Sequence, residues 1–153
     1  MQWNNKYVYP KSTRSILQGS RHYSVNNENL PSVTTILKAT ESEEKKAKLA
    51  QWRDRVGHKQ AEIISKEATS RGSSMHDYLE KFLLGKLNLD LLGDNTREKM
   101  MADQIIDNGL RDKLSEIWGC EATLYYPGKY AGAADCIGIY ENKETIIDFK
   151  QSN

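Results

Sequence analysis

The hydrophobic spacing changes period once along this chain of 153 residues, and that change constrains the fold more than any other feature. Between residues 40 and 118 the apolar residues recur at helical intervals. After that, "CEATLYY", "YAGAADCIGIY" and "TIIDFKQ" are β-prone runs separated only by "PGK" and "ENKE". Connections this short join antiparallel neighbours, so the last third reads as a β-meander. The expected fold class is α+β, with N-terminal helices packed on a C-terminal antiparallel meander in a single domain, 1–153. Within it, 1–29 reads as an irregular N-terminal segment with a short hairpin between Tyr7 and Tyr23. The helical part is 40–118 and the meander 120–152.

Local signals divide the helical part. "LPSVTTILKAT", opened by Pro31, reads as a strand or a short buried helix. Thr40 and Glu43 stand at capping-box spacing ahead of a helix that Gly57 stops. A second helix, "HKQAEIISKEATS", ends at Arg71-Gly72. A third, "SSMHDYLEKFLLG", puts Met75, Leu79, Phe82 and Leu83 on one face, with Gly85 as its stop. Asp94 then caps a long helix through Trp118, kinked or broken at Asn108-Gly109.

Composition limits the partners. Charged residues make up 28% of the chain and the net charge is +1, so any nucleic-acid contact must come from local patches. The first 24 residues carry Lys6, Lys11, Arg14 and Arg21 with no acid. Tyr7, Tyr9 and Tyr23 interleave with these bases, a pattern suited to single-stranded nucleic acid. No apolar run reaches the length of a membrane span and no secretory segment opens the chain, so a soluble protein with no membrane partner is expected. The two cysteines rule out a four-cysteine zinc or iron–sulfur site within this chain. Cys120 and Cys136 read as a reduced, packed pair.

The short turns let the meander be registered. If Pro127 to Lys129 form the first loop, Tyr126 pairs with Tyr130, and Glu121 lies opposite Asp135. If Glu141 to Glu144 form the second, Tyr140 pairs with Thr145, Asp135 faces Lys150, and Ile137 faces Asp148. Glu121, Asp135, Asp148 and Lys150 then converge on one side of three adjacent strands. Three carboxylates that close repel one another, and one lysine offsets a single charge. A divalent cation is the usual resolution, and oxygen ligands favour Mg²⁺ or Mn²⁺ over zinc. The alternative is a solvated sheet face of alternating charge. Gly132, Ala133 and Ala134 leave open space beside Asp135, and Ile137 and Ile146 make the face partly apolar, which favours a recessed site.

G-x-x-D at Gly132 to Asp135, followed by D-x-K at Asp148 to Lys150, resembles the core of the PD-(D/E)XK nucleases. "RGSSMHDYLE" supplies R-G-x-x-x-H-x-x-x-E at Arg71, Gly72, His76 and Glu80, which resembles the RecB-like branch. Together with "LPSVTTILKAT", Trp52 and Arg55, the order of motifs over residues 30–153 is similar to the mitochondrial genome maintenance exonucleases and their phage relatives. The resemblance implies a restriction-endonuclease-like core and a Mg²⁺- or Mn²⁺-dependent exonuclease. Such an enzyme hydrolyses phosphodiester bonds at single-stranded DNA ends, in repair or replication. The expected setting is the cytoplasm of a bacterial or phage-infected cell; the N-terminus is basic like a transit peptide but rich in Tyr and Asn and without a helical moment, so the mitochondrion is less favoured.

The same resemblance implies that His76, Asp135, Asp148 and the Phe149 carbonyl bind the metal. Lys150 would orient or deprotonate the attacking water, and Glu121 would serve a second metal or its water shell. Arg71 and Glu80 fall on the substrate side. RecB-like chains continue past D-x-K with more sheet and a helix carrying Q-x-x-x-Y, whereas three residues follow Lys150 here. A fragment, a fold completed by a partner, or a minimal fold would each account for this. The alternative function is a nucleic-acid-binding module on a nuclease-like fold, inactive without a missing C-terminal part or partner.

Overall fold

Residues 1–86 and 96–151 are described by the computed structural model. After a short strand β1 (Gln2–Trp3), two tight turns shape the N-terminal region. Gln18-Gly19 and Asn26-Asn27 each have positive φ at both positions. This is the primed geometry that joins twisted antiparallel strands, and Gly and Asn accept it at low cost. The turns link β2 (Ser12–Leu17), β3 (Ser20–Val25) and β4 (Glu28–Pro31) into an antiparallel sheet. The segment expected to be irregular is therefore largely β, and its first hairpin turns at Gln18-Gly19.

The chain divides into two compact units. One comprises Tyr9–Ala68 and Thr123–Gly132. Its core is Tyr23, Val25, Leu30 and Ala131, so Tyr23 is a packing residue and not a surface for stacking bases. The ambiguous run after Pro31 is a helix, α1 (Val33–Ala39), because the Ser32 hydroxyl accepts from the Thr35 amide at 3.0 Å and caps it. Gly132 packs against α1, where a Cβ would lie 3.4 Å from Val33. Helix α2 (Glu43–Val56) is capped by Ser42, and Thr40, the expected cap, instead closes α1. Burying none of its residues, α2 carries the ion pairs Lys46–Glu43 and Lys48–Glu44 at i,i+3 and i,i+4, and it ends at Gly57, φ 89°.

Helix α3 (His58–Leu83) runs unbroken through Arg71-Gly72, where a helix boundary was expected. Gly72 is helical, and a Cβ on it would come within 3.1 Å of the Gln151 amide nitrogen. The glycine marks a close approach of chain segments and not a stop.

The other unit comprises Met1–Val8, Thr69–Ala122 and Ala133–Asn153. Thr96 caps α4 (Arg97–Ile105), accepting from the Lys99 amide; the expected cap Asp94 lies outside the described residues. The helix passes into a π-helical turn, Ile106–Leu110, where Asn108-Gly109 predicted a kink. It stops there and not at Trp118, because Leu114 already begins β5 (Leu114–Tyr126). With β6 (Tyr130–Tyr140) and β7 (Lys143–Ile147), β5 forms a sheet ordered β1-β5-β6-β7, whose edge strand β1 runs parallel to β5. The fold is α+β, as the change of period predicted.

The second meander turn is shorter than expected. Glu141 and Asn142 both have positive φ, so the loop holds two residues, Tyr140 pairs with Lys143 and Cys136 with Ile147. Asn142 takes left-handed backbone readily, so the tight primed turn prevails over a four-residue loop. The register moves by two, which preserves the faces. Continued one residue past β7, it sets Asp148 level with Asp135, the place expected for Lys150.

Met75, Tyr78, Leu79 and Leu83 recur at helical spacing on α3 and pack with Leu110, Leu114, Ile117, Cys136 and Phe149. Truncating a residue as buried as Leu79 to alanine costs about 2–5 kcal/mol. Cys136 is buried and Cys120 half-buried, both free; burial pushes their thiols up to about 11 and about 12. Among the described residues no helix is long and apolar enough to cross a membrane.

Candidate metal centre

Met75 points straight into the core, and His76 lies one residue round the helix from it. A rotation of about 100° per residue sets His76 at the border of the buried stripe. Its side chain is 31% exposed and reaches β6: Nδ1 lies 3.4 Å from Oδ1 of Asp135, which is 12% exposed. The other Asp135 oxygen, Oδ2, accepts from the Phe149 amide at 2.7 Å. Both carboxylate oxygens are thus engaged, by groups from two different segments.

Glu121 completes the cluster from β5. One ligand atom each from His76, Glu121 and Asp135 lie within 4.8 Å of one another. Glu121 has φ +49° in the middle of a strand, a conformation costing a non-glycine residue on the order of 1–3 kcal/mol. Such strain is tolerated where surrounding structure imposes it, and here it coincides with the carboxylate that joins the cluster.

The electrostatics follow from the contacts. The hydrogen bond with Asp135 is the main force raising the His76 pKa above its ordinary 6.5. Burial opposes it, while the charges of Asp135 and Glu121 and the Phe149 backbone assist. For Asp135, burial is the largest single influence and works upward. The His76 hydrogen bond, the Phe149 amide, the His76 charge and a carboxyl–carboxyl hydrogen bond with Asp148 together outweigh it and leave the group below its ordinary 3.8. Asp148 therefore belongs to the same constellation, though its side chain is 61% exposed.

Lys150 departs from expectation. Its amine is exposed and pairs with Asp148 at 3.0 Å, instead of standing enclosed opposite Asp135. Asp148 and Lys150 are exposed and Phe149 between them is buried, so the alternation read from D-x-K holds although β7 has ended. Arg71 is half-buried on α3, about 7.5 Å along the axis from His76. Glu80, one turn beyond His76, is half-buried and lies within electrostatic reach of Cys120. The structure brings His76, Glu121, Asp135, Asp148 and Phe149 together; Glu80 follows His76 by one turn, whereas Arg71 stands about 140° round the helix from it. Sequence reasoning missed the Phe149 amide as a support for Asp135. No residue-type pattern signals it, because the contact is made by a backbone amide just past the end of β7.

The donor set suits a hard divalent cation: carboxylates dominate, with one imidazole and a backbone carbonyl in reach. Among the described residues, two carboxylates this close to a single histidine leave negative charge that a cation would offset.

No family model matches the chain. Over 129 residues, 81% of its length, the chain is 30% identical to a curated mouse protein, mitochondrial genome maintenance exonuclease 1. The chain is similar to that exonuclease. The human mitochondrial genome maintenance exonuclease 1 is 27% identical over 128 residues, 80% of the chain. The chain spans 37% of the length of each of these relatives. Any stretch covering 81% of this chain takes in the His76 end of α3, so the likeness to the mitochondrial genome maintenance exonucleases extends over the helix that supplies the imidazole.

Proposed function

We propose that this chain is a metal-dependent deoxyribonuclease that hydrolyses phosphodiester bonds, acting as an exonuclease on single-stranded ends. The observation that carries the reading is the convergence of His76, Glu121 and Asp135 within 4.8 Å, on elements separated widely in sequence. The similarity to an exonuclease whose name concerns genome maintenance supports it.

His76, Asp135, Asp148 and the Phe149 carbonyl would hold Mg²⁺ or Mn²⁺, with Glu121 at the edge of the shell. When bound, such an ion polarises a phosphate oxygen and lowers the pKa of a coordinated water. The chain's own residues do the rest. The Phe149 amide fixes the Asp135 carboxylate, so the ligand does not have to be ordered during the reaction. The Lys150 amine, steered by Asp148, holds the attacking water and offsets charge gathering on the phosphate. The water oxygen bonds to phosphorus, the bond to the leaving sugar oxygen breaks, and that oxygen takes up the proton the water gives up, directly or through solvent. Arg71 holds a neighbouring phosphate, and Glu80 lies on the substrate side.

The test is release of nucleotides from end-labelled single-stranded and duplex DNA, titrated with Mg²⁺ and Mn²⁺. The reading expects hydrolysis that chelator abolishes and that is faster on single strands. Binding of DNA with no cleavage at any metal concentration would instead leave a nucleic-acid-binding module.

A further inference from the structure

Beside the proposed centre runs a groove that it does not account for. A cavity of about 540 Å³ is lined by α4 and the π-helical turn together with Met75, Lys150 and Gln151. A second, of about 410 Å³, shares Ile105, Gly109 and Lys150 with the first and continues past Phe149 to Asp148. Both volumes fall in the ~300–1,000 Å³ range of small-ligand sites. Sharing those three residues, the two are adjacent parts of one passage, and Asp148 lines its second part.

The lining points to one class of occupant. Arg97 and Lys150 supply positive charge in the first cavity, and Gln104 and Asn108 supply amides that both donate and accept. Among the described residues none of its lining side chains is a carboxylate. Met75, Met101 and Ile105 give the same cavity an apolar surface. Cations, amides and an apolar surface together match a nucleotide, which presents a phosphate, polar base edges and a flat ring face. The π-helical turn supplies Asn108 and Gly109 to this wall, and such turns are frequent at functional sites. Gly109 lines both cavities, and a Cβ there would meet nothing closer than Ile105 at 3.9 Å. A long side chain at this position would project into space that Gly109 lines.

We propose that this groove is the subsite for the nucleotide next to the scissile phosphate. Its base would lie on Met101 and Ile105, with its phosphate between Arg97 and Lys150. The proposal rests on the nuclease reading above and extends it to the substrate. A base can reach such a surface only when unpaired, so the groove would select single-stranded ends over duplex.

The experiment measures binding of a fluorescein-labelled oligothymidylate by anisotropy in Ca²⁺, with Mn²⁺ titration calorimetry on the same samples. Arg97→Gln should weaken binding about tenfold, the scale of one charge-assisted contact. It should also make the slope of log affinity against log salt shallower by about 0.7. Gly109→Leu should obstruct the passage and weaken binding to a similar degree, with Mn²⁺ heats unchanged in both variants. Wild-type affinity in both variants overturns the subsite while leaving the nuclease reading intact. If Gly109→Leu does not fold, Arg97→Gln decides alone, since its side chain is exposed. A wild-type chain that neither binds nor cleaves DNA overturns both readings.

Discussion

The backbone amide of Phe149 donates to Asp135 at 2.7 Å. A residue just past the last strand thus fixes a carboxylate in the middle of the preceding one, and leaves the carboxylate's other oxygen to His76. This places the strongest demand on Asp135. Asp135→Ala should abolish Mn²⁺ binding in calorimetry and cut hydrolysis by at least about 10²-fold, the scale of losing one electrostatic contact in the transition state. Heats equal to wild type would remove Asp135 from the metal shell.

Glu121 separates binding from stability. Its φ of +49° is unfavourable for any side chain, so Glu121→Gly should leave the metal-free protein as stable as wild type or up to about 1 kcal/mol more so. The same change should weaken Mn²⁺ binding. A loss of stability with metal affinity intact would make Glu121 a structural residue only.

Lys150→Ala should reduce turnover by about 10²-fold, while oligonucleotide affinity in Ca²⁺ falls no more than Arg97→Gln lowers it. The side chain is 78% exposed, so folding should be unaffected. Wild-type turnover at saturating DNA would assign Lys150 to binding alone.

The pH response should reverse when metal is added. In the metal-free protein His76 has a raised pKa, facing Asp135 on β6 and Glu121 on β5. Its contribution to stability is complete below the unfolded value of about 6.5 and is lost as pH rises through the folded value. A coordinated imidazole must be neutral, so Mn²⁺ affinity should increase over that same interval. Thermal melts and calorimetry across it check both slopes. His76→Gln should flatten each of them, and unchanged slopes would exclude His76 from both roles.

Gly138 tests the sheet that carries the site. A Cβ there would run into the Glu116 carbonyl and lie 3.2 Å from the Ile117 Cα. Gly138→Ala should destabilise the fold by roughly 3 kcal/mol, as overpacking against backbone does. A melting temperature within a degree of wild type would mean that β5 and β6 do not approach this closely.

The parts legible in the sequence were those set by periodicity. The apolar stripe Met75, Leu79, Leu83 and the strand alternation of "DFK" survive intact, because each depends only on local geometry. What the sequence concealed depends on turn chemistry and on non-local packing. The hairpin expected between Tyr7 and Tyr23 is present as β2–β3, but the Asn26-Asn27 turn that adds β4 lay in a region whose polar composition masked it. Gly72 looked like a stop, yet its missing side chain accommodates Gln151, which lies 79 positions away. The register error at Glu141-Asn142 was harmless to the site because it was even. A slip of one residue would have sent Asp148 to the opposite face.

The central claim is that these side chains hold a divalent cation. The most direct measurement is an anomalous difference map from crystals soaked in Mn²⁺. The account predicts one strong peak within about 2.0–2.3 Å of a His76 ring nitrogen and an Asp135 oxygen, with Glu121 or Asp148 completing the shell. A crystal saturated with Mn²⁺ that shows no density between His76 and Asp135 would contradict it.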